Sequence, residues 1–245
     1  MKRFVIAGLL LLTPVWVLAA GAGIHLDKAN IDPNNTASLQ RGARLFINYC
    51  LSCHSAELMR YERLGKDLDI EDKLVEENLM FTGGKLGDLM TVATADADSK
   101  EWFGIVPPDL TVIARARGAD WLYTYMRSFY RDNSKITGVN NLVFPDVGMP
   151  HVLWELQGWQ EPVLKTVKDH DGNKKKEVTL ELAEQGLMTP KEYDRAIRDL
   201  VNFLDYMGEP AKHERRSLGV KVIMFLLLFL IVAYMLKRDY WKDVH

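Results

Sequence analysis

Cys50-Leu51-Ser52-Cys53-His54 decides how the rest of the chain is read. It holds the only two cysteines in 245 residues, and a histidine follows the second directly. C-x-x-C-H is the attachment pattern for c-type haem. The two thiols add to the two haem vinyl groups as thioethers, and two intervening residues let both sulfurs reach one porphyrin edge. The next residue then lies under the iron and offers an imidazole ligand. A zinc site needs two further ligands at matching spacing, and the chain has no second Cys/His pair. A thioredoxin-like redox pair belongs in a βαβ pattern, which the sequence lacks.

Both ends of the chain carry membrane signals. Residues 1–20 read as a secretory signal peptide: Lys2 and Arg3 form a positive start, Phe4 to Leu12 is unbroken apolar, and Ala19-Ala20 precedes Gly21. Export suits the five-residue motif, because haem is attached covalently outside the bacterial cytoplasm. At the other end, Leu218 to Leu236 is apolar apart from Lys221 and small residues. At about 1.5 Å per residue such a helix reaches about 28 Å, enough to cross a hydrocarbon core. Tyr234, Tyr240 and Trp241 suit the interface. Basic residues flank the span on both sides, so charge bias does not orient it. The signal peptide does, by sending the mature N-terminus across the membrane. The expected division is 1–20 signal peptide, 21–216 exported domain, 217–237 transmembrane anchor and 238–245 cytoplasmic tail.

The chain has 31 basic and 33 acidic side chains. Setting aside Lys2, Arg3, Lys221, Lys237, Arg238 and Lys242, together with Asp239 and Asp243, leaves 25 basic and 31 acidic. That excess of acid favours solubility and a basic docking partner. The run from Asp67 to Glu77 is a candidate face, and also reads as a solvated helix surface. Nothing in the charge pattern points to nucleic-acid binding.

Between the ends lie about 196 residues, enough for one domain with a real core. Leu39, Gly42, Ala43 and Phe46 recur at helical spacing and run into Cys50, with Thr36 or Ser38 as the expected cap. Thr189-Pro190-Lys191-Glu192 is a capping box. It opens a helix with the stripe Tyr193, Ala196, Ile197, Leu200, Val201, Leu204 and Met207, ended by Gly208 and Pro210. Small Gly42 and Ala43 suit a close crossing of these two helices. Another helix is expected from Asp120 to about Arg131, with Leu122, Tyr125, Met126 and Phe129 on one face. Val163–Val167 and Glu177–Leu182 flank Asp171-Gly172 as a β-hairpin with a Lys174-Lys175-Lys176 tip.

A second iron ligand has two main candidates. His25, His170, His213 and His245 lie near the termini, in the hairpin tip or beside the membrane, which leaves His151 among the histidines. Met149 sits in Phe144-Pro145-Asp146-Val147-Gly148-Met149-Pro150-His151, a loop stiffened by two prolines. Spacing favours Met149 over His151, while Met126 and Met207 fit helix stripes as core residues. Thioether ligation favours Fe(II), and two protein ligands fill the iron's coordination sphere. That points to electron transfer. A membrane-anchored monohaem carrier of another respiratory chain fits the same residues, and a haem-free thiol–disulfide oxidoreductase is the reading from a different class.

Together, Cys50 to His54, Val106-Pro107-Pro108-Asp109-Leu110 with Ala114-Arg115-Ala116-Arg117, Gly148-Met149-Pro150, and the anchor ending Tyr240-Trp241-Lys242 resemble the cytochrome c1 family. This is the haem subunit of ubiquinol–cytochrome c reductase, here of bacterial type. The resemblance covers nearly the whole exported part and the anchor. It implies a mainly α, cytochrome c-like haem domain with a small β-hairpin and one C-terminal transmembrane helix. It implies one haem c on Cys50 and Cys53, with His54 and Met149 on the iron. It also implies Pro108 in the pocket wall and an arginine, Arg117 in preference to Arg115, on a haem propionate. The implied partners are cytochrome b, the Rieske iron–sulfur protein as electron donor and a cytochrome c acceptor. The implied place is the bacterial inner membrane, with the haem domain in the periplasm. Glu101-Trp102-Phe103-Gly104 departs from the small and amide residues usual before the prolines, so pocket contacts are not carried over there.

Overall fold

Helix α1 (Thr36–Leu45) is opened by Asn35, whose side chain accepts the Ser38 backbone N–H at 3.0 Å. The computed structural model describes residues 25–82, 84–92, 94–168 and 174–242. The expected signal peptide, residues 169–173 with His170, and His245 lie outside the described residues, whereas Lys174, Lys175 and Lys176, expected as the hairpin tip, are paired as part of its second strand. The cap is therefore neither Thr36 nor Ser38. Asparagine two residues ahead of Ala37 does the job, because its short side chain reaches back over the first turn. After Leu45 the helix widens into one π-helical turn, Phe46–Cys50, closed by Leu51 N–H on the Phe46 carbonyl at 3.0 Å. The extra residue in that turn re-aims the chain at Cys50.

Strand β1 (Ala56–Arg60) leaves the motif and pairs antiparallel with the short β2 (Leu89–Met90). Between them lie α2 (Tyr61–Asp67) and α3 (Asp72–Asn78). Helix α4 (Asp96–Phe103) ends on Gly104 at φ +75°, a left-handed cap that glycine adopts without strain. Two short helices follow, α5 (Ile113–Arg117) and α6 (Ala119–Arg127).

The helix expected to reach Arg131 stops early. Ser128 ends α6, and Phe129–Arg131 become strand β3, paired with β4 (Val139–Asn141). The Ser128 hydroxyl donates to the Tyr125 carbonyl at 3.2 Å and to Asn141 Oδ1 at 3.1 Å. A serine offering its own bonds competes with the helical ladder. Helix α7 (Trp154–Gln157) leads into a hairpin of β5 (Gly158–Lys168) and β6 (Lys174–Gln185), with Pro162 opposite Leu180 and Leu164 opposite Val178. It contains both expected strands and extends beyond each. Gln160 Nε2 donates to the Arg127 and Phe129 carbonyls, each at 2.9 Å, and so fixes the hairpin's base to the end of α6.

Helix α8 (Pro190–Gly208) has the expected capping box between Thr189 and Glu192, and its apolar stripe is buried. It crosses α1 at Gly42. A Cβ on Gly42 would stand 2.1 Å from the Asp199 carbonyl oxygen and 2.7 Å from Phe203 Cβ. Phe46 packs on Phe203 with ring centres 5.6 Å apart. Buried Asp199 joins the same crossing: Ser38 Oγ donates to it at 2.6 Å, and Arg41 Nε also donates at 2.6 Å. Its charge is thus paired, as burial demands.

The last helix, α9 (Lys212–Tyr240), stands apart from this core. Its stretch Glu214–Tyr240 is long and apolar enough to cross a membrane, with mean hydropathy 2.6 in the most apolar window, none of it buried. The fold is mainly helical with three small antiparallel pairs among the described residues, as expected.

The crossing yields a prediction. Gly42→Ala forces α1 and α8 apart and is expected to cost about 1–3 kcal/mol or more. Gly87→Ala, where an added Cβ meets nothing within 4 Å, serves as the control. Thermal unfolding of both proteins checks this, and equal melting temperatures contradict it.

Candidate functional site

The π turn delivers Cys50, Cys53 and His54 to the wall of a cavity of about 320 Å³. Pro107, Pro108 and Leu110 form a second wall. Trp121, Tyr125 and Met126 of α6 and Leu204 of α8 form a third, and Phe144 with Val147 to Pro150 closes the site. The lining is almost wholly apolar, and Arg117 is its one charged residue. Two thiols, one imidazole, the two thioethers of Met126 and Met149, and one guanidinium therefore meet in a chamber suited to a large apolar group bearing acid substituents.

His54 is held in one tautomer. Its Nδ1 lies 2.8 Å from the Pro108 carbonyl oxygen. A carbonyl only accepts, so Nδ1 carries the proton and Nε2 keeps the lone pair a metal needs. Burial pushes the ring's pKa below the ordinary value, partly offset by the Pro108 bond and the charge of Asp109. The Pro108 carbonyl is itself fixed. Asp109 accepts the Glu57 N–H at 2.7 Å and the Thr111 N–H at 2.8 Å, and Leu110 N–H donates to the Ser55 carbonyl at 2.8 Å. These bonds tie the proline segment to the strand that leaves His54.

Both cysteines are free. Burial, then the neighbouring Cys53, push the Cys50 thiol up to about 12. It is a neutral thiol in an apolar wall.

On the other candidate ligand, the structure separates Met149 from His151. Met149 lines the cavity, and Tyr125 donates its hydroxyl to Sδ at 3.4 Å. Burial raises the Tyr125 pKa, so the phenol keeps its proton. His151 is not part of the lining. It is buried against Phe129, stacked at 4.9 Å between ring centres, and burial pushes its pKa down to about 4. Gly148 lies in ordinary contact range of Ile105: an added Cβ would meet Ile105 Cγ2 at 3.4 Å.

The two arginines also divide. Arg117 lines the cavity and lies over Trp121 at 5.1 Å and Phe144 at 5.8 Å from the ring centres. Arg115 lies 4.0 Å from Glu209. Met126, assigned to a core stripe, is buried and also forms part of the wall.

Sequence reasoning missed Tyr125, Trp121, Phe103 and Ile105 as site residues. Arg117, Trp121 and Tyr125 recur every four residues, and Trp121 and Tyr125 stack at 4.9 Å. That spacing was the available signal. Phe103 comes from the stretch where the resemblance departs and Ile105 follows that stretch directly, so no motif marked them.

Asp109→Ala removes the carboxylate that accepts two backbone N–H groups, those of Glu57 and Thr111, beside His54. It is expected to destabilise the protein by about 1–3 kcal/mol and to shift the His54 Nδ1–H proton resonance, with Asp109→Asn intermediate. An unchanged resonance and melting temperature in the alanine variant contradict the role given to this anchor.

Comparison with known proteins agrees with this geometry. The Cytochrome C1 family model matches residues 28–244. A protein of Allochromatium vinosum named cytochrome c1 is 50% identical, covering 100% of both chains. A protein of Nitrosomonas europaea named ammonia monooxygenase gamma subunit is 48% identical over 96% of each. The mitochondrial cytochrome c1 haem protein of Schizosaccharomyces pombe is 26% identical over 85% of this chain and 67% of its own. With a cavity walled by Cys50, Cys53, His54 and Met149 and a family match spanning nearly its whole length, the chain belongs to the cytochrome c1 family.

Proposed function

We propose that this chain is the membrane-anchored c-type cytochrome of a ubiquinol–cytochrome c reductase, taking electrons from a Rieske iron–sulfur protein and passing them to a cytochrome c. The observation that carries this reading is the convergence of Cys50, Cys53, His54 and Met149 on one apolar cavity, within a chain of this family. Cys50 and Cys53 would hold haem c through two thioether links to its vinyl groups, and His54 Nε2 and Met149 Sδ would hold its iron. Arg117 meets a propionate through its guanidinium fork, and Pro108 orients His54. Haem c supplies a one-electron couple, and the protein supplies ligands, burial and a docking surface.

Several residues act on that couple without touching the iron. The Tyr125 hydroxyl draws electron density from the Met149 sulfur and so favours the reduced state, as thioether ligation itself does. The apolar walls exclude water and raise the cost of charge at the iron. The acid-rich stretch Asp67–Glu77, mostly exposed on α2 and α3, offers a face to a basic acceptor.

In the same reading, residues 1–20 direct export and residues 21–216 form the periplasmic domain. Residues 217–237 of α9 cross the bacterial inner membrane beside cytochrome b, and residues 238–245 lie in the cytoplasm.

Purification from membranes of the native host tests the proposal. The expected preparation contains a b-type haem and an iron–sulfur subunit, and an alkaline pyridine haemochrome assay finds one haem retained covalently on this chain. Met149→Leu is expected to lower the reduction potential sharply while leaving that covalent haem in place. Haem-free protein from its own host, or an unchanged potential in the variant, contradicts the reading.

A further inference from the structure

Asn141, the last residue of β4, is 1% exposed, yet every polar atom of its side chain is engaged. Its Oδ1 accepts from Val143 N at 2.9 Å, from Phe144 N at 3.1 Å and from Ser128 Oγ at 3.1 Å. Its Nδ2 donates to the Tyr125 carbonyl at 2.8 Å. One carboxamide thus joins the end of α6 to the start of the loop that carries Met149. Asn140 beside it adds a second tie: its Oδ1 accepts the Asp146 N–H at 2.8 Å, and its Nδ2 donates to Asp132 at 3.1 Å.

The connections close a circuit. Asn141 fixes the backbone of Tyr125, and the Tyr125 hydroxyl reaches Met149 Sδ. The chain from Met149 back to Val143 returns to Asn141. Residues 142–149 contain no helix or strand; Leu142 N–H finds the Ser128 carbonyl at 3.2 Å, while Val143, Phe144 and Asp146 N–H depend on the asparagine side chains. A loop of this kind opens easily when its ties are cut.

We infer that Asn141, supported by Asn140, is a positioning residue that keeps Met149 on the iron by locking its loop to the helix bearing Tyr125. The inference rests on Met149 being an iron ligand. Breaking the lock favours the detached loop, by roughly tenfold for loss of a well-formed buried bond. An added ligand then displaces Met149 more easily.

Imidazole titration of the ferric, membrane-purified protein tests this, read by the methionine-to-iron charge-transfer absorption. Asn141→Asp keeps the acceptor for Val143 and Phe144 but loses the donor to Tyr125. It is expected to lower the imidazole midpoint about tenfold. Thr189→Ala weakens the distant α8 cap and is expected to leave the midpoint unchanged despite a lower melting temperature. An Asn141→Asp midpoint within about twofold of wild type overturns the inference, as does an equal shift in Thr189→Ala. Should Asn141→Asp fail to mature, Asn140→Ala is read in the same titration. A lower midpoint supports the inference and an unchanged one overturns it. Wild-type protein lacking the charge-transfer band refutes the ligand reading itself, and the inference with it. A band present and untouched by the asparagine variants refutes the inference alone.

Discussion

The close crossing of α1 and α8 at Gly42 is the constraint on which the site depends. With no side chain at that point, the α1 backbone lies against the Asp199 carbonyl and Phe203. The paired Asp199 carboxylate adds a directional tie to Ser38 and Arg41. Helix α1 therefore has a fixed direction as it enters the π turn, which presents Cys50 to the cavity. Leu204, one residue beyond Phe203 on α8, forms part of the same cavity wall. One helix pair thus sets both the core and the floor of the site.

From that floor the two candidate ligands are held by unlike means. His54 follows the π turn and is oriented by a carbonyl from a proline segment that has no N–H to compete, with Asp109 fixing the segment's far side. Met149 sits on an irregular loop and depends on Tyr125, Asn140 and Asn141 for its place. The imidazole end is held by a backbone carbonyl with the Asp109 carboxylate behind it, whereas the thioether end is held through buried side-chain bonds. Cutting a buried bond leaves a group unsatisfied, so the second arrangement is the more sensitive to single substitutions.

What the sequence made legible was local chemistry. The spacing of Cys50, Cys53 and His54 names its own cofactor, and Thr189 to Glu192 announces the start of α8. Gly148-Met149-Pro150 was the loop expected to present a thioether, and the fold lines the cavity with Met149 while His151, two residues away, stacks on Phe129. Less legible were features decided by tertiary contact. Ser128 looks like one more residue within the expected helix until Asn141 lies opposite it. The π turn leaves no periodicity of its own, since one widened turn shifts the pattern by a single residue. Tyr125 reads as core because its ring is buried, yet it also lines the site and its hydroxyl reaches Met149. The strands of the hairpin run beyond the alternating residues that betrayed them because Gln160 secures the base to Arg127 and Phe129.

We propose that the motif at residues 50–54 and the loop near residue 149 serve one iron. Near-infrared magnetic circular dichroism of the ferric, membrane-purified protein addresses it most directly, because the energy of the ligand-to-iron transition differs between histidine–methionine and bis-histidine coordination. The account predicts the histidine–methionine signature. A bis-histidine signature would contradict it and place another imidazole where Met149 is assigned.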